Sequence, residues 1–240
     1  GDDCLRNDLT DFKLDNSYHV TTLEPLKRHR IRYTDNARKN SFDIQFEAMM
    51  PAMVLGSGMH LEQGMKTSGS LTLRGKDYRV NGYTVRDRSW GQLRSEANLF
   101  NPPMAWMTCV FNDDFAFGCT AFDNLETNPE WKAALEIPGG DTVKGGWIYK
   151  DGALTPIIAA VKKTIRNPVT LFPESVEMTL TDAIGRNFQM SGEITAAANW
   201  RAWHNFEMVI CQTRWTCDGM TSHGDFQEAQ WSEYVRLFRR

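Results

Sequence analysis

Along most of the chain apolar and polar residues alternate in short runs, and turn-forming residues cut each run off. A period of two belongs to strands with one buried face, whereas an amphipathic helix needs apolar residues three and four apart. The run 41–49 is the clearest: Phe42, Ile44 and Phe46 fall on one side, Asp43, Gln45 and Glu47 on the other. Runs 68–73 and 78–85 face each other across Arg74-Gly75-Lys76-Asp77, and 145–150 and 153–158 across Asp151-Gly152, a strong hairpin signal. Further hairpins join 106–111 to 115–122 and 173–181 to 187–195, and 206–215 reaches 225–231 through a loop rich in Gly and Ser. Near the start, 18–23 and 26–34 alternate loosely around Pro25, and 35–40 reads as a hairpin loop. Helix is expected only at 129–135, where Pro129 stands at the first turn, and as a short turn over 232–240.

Strands at regular spacing with so little helix predict an all-β, antiparallel fold, either a closed β-barrel or two packed barrel-like halves. The division expected is a polar tail over 1–15, a first β half over 16–100 and a second over 101–240. At 240 residues the chain is long enough to bury a core without disulfides or metal. Its formal net charge of -3 and the shortness of its basic runs, Lys27-Arg28-His29-Arg30 and Arg239-Arg240, argue against a nucleic-acid partner. The five cysteines form no C-x-x-C pair, which points to a reducing, cytoplasmic setting. No apolar run approaches the ~18 residues of a transmembrane helix. The chain opens Gly-Asp-Asp-Cys without Met, so a homodimer and a missing N-terminal half supplied elsewhere both stay open.

Signatures for metals, phosphates and activated nucleophiles are missing: there is no H-x-x-x-H, no Walker loop, no G-x-G-x-x-G and no G-x-S-x-G. His19, His29, His60, His204 and His223 are scattered along the chain. No metal and no cofactor is therefore expected.

The stretch 60–91 holds the polar residues that fit a strand least well. His60 and Glu62 share one face of an extended segment with Gln63 opposite, and Arg86-Asp87-Arg88-Ser89 precedes Trp90-Gly91. Burying such a run is costly without a reason. The pattern H-x-E-Q-G followed by V-x-G-Y-x-x-R-D-x-S-W-G resembles the lipocalin-like families around carotenoid hydratase, kievitone hydratase, AttH-type proteins and fungal Diels–Alderases. It is nearest to bacterial members with E-Q and R-D-x-S-W-G. Many relatives carry His where this chain has Arg88, so no imidazole role is carried to that position.

The resemblance implies a lipocalin-like barrel and a cofactor-independent lyase or isomerase, of hydratase or cyclase type. The substrate would be a hydrophobic terpenoid, steroid or aromatic small molecule. A non-catalytic carrier of such a ligand is the alternative. Either chemistry needs a proton donor in a dry pocket. Asp87 leads, with Glu62 and His60 next; Trp90, Tyr83, Gln63, Arg86 and Met53 are the expected substrate contacts. An Asp protonated near neutrality must rise about three units from roughly 3.9, a differential interaction of about 4 kcal/mol. Burial beside Trp90 or Tyr83 would act in that direction, and an ion pair to Arg86 or Arg88 against it. The structural alternatives are a strand-end Arg–Asp cluster for Asp87, a latch at Gly64 for Glu62 and Gln63, and a rim histidine for His60. Glu228, Tyr33, Asp35 and Trp203 are further pocket contributors.

Overall fold

The structure, a computed structural model, describes residues 10–56, 58–90, 102–130, 142–203 and 205–238. Among these it forms fifteen strands and one helix, so the all-β expectation holds. The chain divides into two compact units, Gly1–Ala52 with Glu62–Asp87, and Met53–Leu61 with Arg88–Arg240. The boundary expected at 100/101 lies outside the described residues, as does most of the helix expected at 129–135. Nothing in the sequence marks the excursion of 53–61.

The earlier strands are β1 (Asp11–Lys13), β2 (His19–Glu24), β3 (Arg28–Asp35), β4 (Asn40–Ala48), β5 (Met53–Leu55), β6 (His60–Leu73) and β7 (Lys76–Ser89). They form a sheet in the order β1-β2-β3-β4-β6-β5, with β7 also on β6. Arg74 and Gly75 both take positive φ, 53° and 78°, making a two-residue turn whose twist matches that of the strands it joins. The four-residue turn expected there is thus shortened, and both strands lengthen. Gly64 on β6 lies close to two methionines: a Cβ there would stand 3.2 Å from the Met49 and Met50 sulfurs, so those side chains would have to give by a few tenths of an ångström.

The second unit contains the barrel. Its strands are β8 (Met104–Asn112), β9 (Phe115–Phe122), β10 (Val143–Lys150), β11 (Ala153–Arg166), β12 (Pro173–Asp182), β13 (Asn187–Trp203), β14 (Phe206–Cys217) and β15 (Met220–Trp231). They close in the order β10-β11-β12-β13-β14-β15-β8-β9. The Asp151-Gly152 turn forms as expected, with φ of 53° and 78°. The loop expected before 225 does not exist: Asp218 and Gly219, at φ 50° and 75°, turn the chain, and β14 and β15 pair from Cys217↔Met220 to Phe206↔Trp231. Strand β11 runs on to Arg166, beyond the end expected at 158, because its alternation continues with Ala160, Lys162 and Thr164 buried and Val161, Lys163 and Ile165 exposed.

An eight-stranded barrel is just wide enough for side chains to occupy its interior, and here they do. Phe117 meets Trp215 edge-on at 5.2 Å and Phe111 stacks on Phe115 at 4.8 Å, within a core that also holds Met107, Met178 and Phe226. Gly192 makes room for it, since a Cβ there would lie 2.8 Å from Thr213 and Val176 and 3.0 Å from Trp215. After β15 comes α1 (Ser232–Phe238), the expected closing helical turn, whose Val235 packs with Leu171, Leu125 and Trp231.

Candidate functional site

The two-residue turn at Arg74-Gly75 carries β7 back along β6 so that His60 meets Ser89, its Nδ1 lying 2.7 Å from the Ser89 hydroxyl. Beside them the Trp90 amide donates to the Met59 carbonyl at 3.0 Å. His60 lines a cleft of about 210 Å³, whose walls are Leu55, Gly56, Met59, Thr120, Lys144 and Gly145. Its apolar side comes from Leu55 and Met59. Its polar side comes from the Thr120 hydroxyl and from Lys144, whose ammonium lies 4.8 Å from the centre of the Phe122 ring.

The other candidates stand elsewhere. Glu62 and Gln63 are buried, at 1% and 2% exposure. The Gln63 amide donates to the Leu26 and Met50 carbonyls, both at 2.9 Å, so it ties two segments of its unit to β6. Asp87 is exposed near the end of β7, and Tyr83 and Trp90 are 39% and 44% exposed. Arg86 and Met53 are half-buried. Tyr33 packs on Phe42 at 5.6 Å, and Asp35 accepts from the Arg38 amide and guanidinium. The Trp203 side chain lies outside the described residues.

Glu228, expected as a pocket contributor, does not line the cleft that holds His60. It is buried inside the barrel, where Arg166 grips its carboxylate with Nε at 2.9 Å and Nη2 at 2.6 Å. The same Nη2 reaches Asp123 at 2.6 Å, and Lys162 closes on Asp123 from the other side. Thr164 and Gln230 complete the cluster, Gln230 donating to Glu228 at 2.7 Å and to the Leu171 carbonyl at 2.9 Å. Among the described residues two acids and two bases meet here, so their charges balance. Burial by itself would raise the Asp123 carboxyl, but the Arg166 and Lys162 charges outweigh it and hold that carboxyl below its ordinary range. This polar end of the lumen, with the aromatic core above it, is structural.

The outer surface of the barrel is not uniform. On β8, β9 and β10 the outward-pointing Thr108, Val110, Ala116 and Trp147 are withdrawn from solvent, at 0–2% exposure, while on β11 Val161 and Ile165 are 50% and 42% exposed. Thr120 stands on the withdrawn face, paired with Trp106 on β8 and Gly145 on β10. Leu55 comes within 4.0 Å of where a Cβ on that glycine would sit. Asp225 of β15 also points outward here, opposite Thr108. Burial pushes its carboxyl above the ordinary value, and the Thr108 hydroxyl opposes this only in part. A wider groove of about 520 Å³ crosses the exposed side over Lys163, Glu177, Gln189 and Asp218, and none of the expected acid–base residues lines it.

Sequence reasoning named His60, which lines this cleft, but not Thr120 or Lys144, which line it too, nor the half-buried Asp225. An acid or base outward on an alternating strand reads by default as solvated, and the sequence carried no sign that this face is withdrawn. Burial pushes the Cys109 and Cys211 thiols up to about 12 and Cys217 to about 11, which leaves all three protonated and unreactive at neutral pH. Among the described residues no three His, Cys, Asp or Glu side chains gather as metal ligands do, and no helix is long and apolar enough to cross a membrane.

A closed antiparallel barrel with a further β-sheet defines the fold class, and solved structures share it. One is an AttH-like protein of Nitrosomonas europaea, with a TM-score of 0.63 and 16% identity over 94% of this chain and 71% of that one. Another is kievitone hydratase of Nectria haematococca, with a TM-score of 0.54 and 14% identity over the same shares of the two chains, 94% and 71%. The chain shares the fold of these two structures. It belongs to the family DUF7064, a domain of unknown function, whose model matches residues 5–234. No curated protein matches it.

Proposed function

We propose that this chain is a hydratase-type lyase, working by acid–base chemistry on an apolar small molecule held at the outer face of the barrel, with His60 as the acid–base group. The observation that carries this reading is the placement of His60. Of the three acid–base candidates it is the one on the wall of the cleft, and Ser89 fixes its ring. Glu62 is buried within β6, and Asp87 is exposed. The fold shared with a protein named a hydratase supports the reaction class. The pattern of Glu62, Gln63 and Arg86 to Gly91, which resembles that of bacterial members with the same motif, supports the narrower reading.

Hydration adds a proton to one carbon of a double bond and the hydroxyl of water to its neighbour. An imidazole on the cleft wall takes the proton of the attacking water and returns one to the reaction, so the group ends as it began. Leu55 and Met59 exclude water from the substrate's apolar part, and Thr120 and Lys144 hold its oxygen. The test is incubation with prenylated phenols, terpenoids and steroids in 18O-water, followed by mass spectrometry. The expected product gains one molecule of labelled water, and His60→Gln slows its formation by a factor of roughly 10² or more with an unchanged melting temperature. Quantitative recovery of unaltered, stoichiometrically bound ligand would make the protein a carrier instead.

A further inference from the structure

Strand β10 carries one residue more than its partner where it borders the His60 cleft. Val143 pairs with Ala121 of β9 and Gly145 with Thr120, which are neighbours on β9, so Lys144 lies between them without a partner in the ladder. A bulge of this kind breaks the alternation of its strand and re-aims a side chain, and bulges are over-represented beside active sites. Here the residue set free is a cation. Lys144 is exposed, lines the cleft together with Thr120 and Gly145, and holds its ammonium 4.8 Å from the centre of the Phe122 ring. An aromatic face attracts a cation without neutralising it. No carboxylate is among the side chains that line the cleft, and Asp123, which follows Phe122 in the chain, is committed to Lys162 and Arg166.

The cleft measures about 210 Å³. Sites that enclose a drug-sized ligand run from roughly 300 to 1,000 Å³, so this one takes in a ring or a short branched chain rather than a whole steroid. Within that span an acidic oxygen at Lys144 and a reacting carbon at His60 stand only a few bonds apart. The chemistry of the oxygen follows from its ionisation. A carboxyl, with an ordinary value of about 4, is charged at neutral pH, whereas a phenol, at about 10, is not and gives a cation little to select.

We propose that Lys144 is a substrate-contacting residue that sets specificity: its ammonium binds the carboxylate of a small unsaturated acid whose double bond lies against His60, and the Thr120 hydroxyl donates to the same carboxylate. The proposal rests on the reading of the His60 cleft as the ligand site. It names the substrate class more closely, an unsaturated carboxylic acid with an apolar body of one ring or a short branched chain.

The probes are 3-phenylpropanoate and its neutral isostere 3-phenylpropanamide, titrated at about pH 8, where an ordinary imidazole is uncharged, with the Thr120 methyl as the NMR reporter of the cleft. At low salt wild type is expected to bind the acid about fivefold tighter than the amide, the scale of an exposed ion pair, and the preference should shrink in about 0.5 M salt. Lys144→Met should bind both probes alike, at the affinity wild type has for the amide, which also shows that the variant is folded. Lys144→Arg should keep the preference. Equal wild-type affinities for acid and amide, a preference that salt leaves untouched, or one that survives Lys144→Met would overturn the proposal while leaving the cleft as the ligand site. Binding of neither probe, with the Thr120 methyl silent, would overturn both. Neither probe has a double bond outside its ring, so these results stand whether or not the labelled-water experiment finds turnover.

Discussion

The barrel treats acids in two opposite ways at two places. At the polar end of its lumen Asp123 and Glu228, both fully buried, share Arg166, and Lys162 completes a neutral cluster. On its outer face Asp225 is half-buried with a hydroxyl for company. The first arrangement satisfies every charge and fixes where β9, β11 and β15 end. In the second, no cation among the described residues bonds to the carboxyl, and burial raises it above its ordinary value. The difference lies in packing and not in residue type, since all three residues are acids.

The comparison breaks first at Arg166. Replacing it by Met leaves two carboxylates at 0% exposure with one lysine between them, and removing one partner from a buried cluster typically costs about 3–5 kcal/mol. Urea denaturation should show a loss of that size, and a loss under about 1 kcal/mol would mean that the cluster is not the scaffold described here. The pH dependence has the sign opposite to that of Asp225. A carboxyl held low, as Asp123 is, contributes stability above its ordinary value of 3.8 that is lost as pH falls through the folded value, and Arg166→Met should blunt that acid transition. The smallest effect is expected at Arg214, whose ion pair with Glu193 is 50% and 60% exposed. Arg214→Ala should change stability by no more than about 0.5 kcal/mol, and a larger change in the same urea experiment would show that exposed charge matters more in this barrel than burial does.

Much of the fold was legible because its signals are local. The period of two marked the strands, and Asp151-Gly152 marked a two-residue turn that the structure has. Asp218-Gly219 carried the same signal, but the Thr, Ser and His residues after it masked the alternation of β15. Strand β11 was expected to end at 158, and only the folded barrel shows that Lys162, further along it, turns inward to Asp123. The candidate site was legible in part for the same reason. The link from His60 to Ser89 follows from the length of one turn. The contrast between Asp87 and Asp225 does not: Asp87 lies in a conspicuous motif and is exposed, whereas Asp225 lies in an ordinary alternation and is withdrawn. Which outward residues are covered is decided by packing far away in sequence, and no local pattern reports it.

The central claim is that ligand is taken at the His60 cleft while the lumen stays a packed core. Methyl NMR during titration with prodan, a neutral naphthyl ketone, tests it directly, since the Thr120 methyl marks the cleft and methionine methyls mark the lumen. The account predicts a shift at Thr120 with Met107, Met178 and Met190 unmoved. Shifts confined to those methionines, with Thr120 silent, would contradict it.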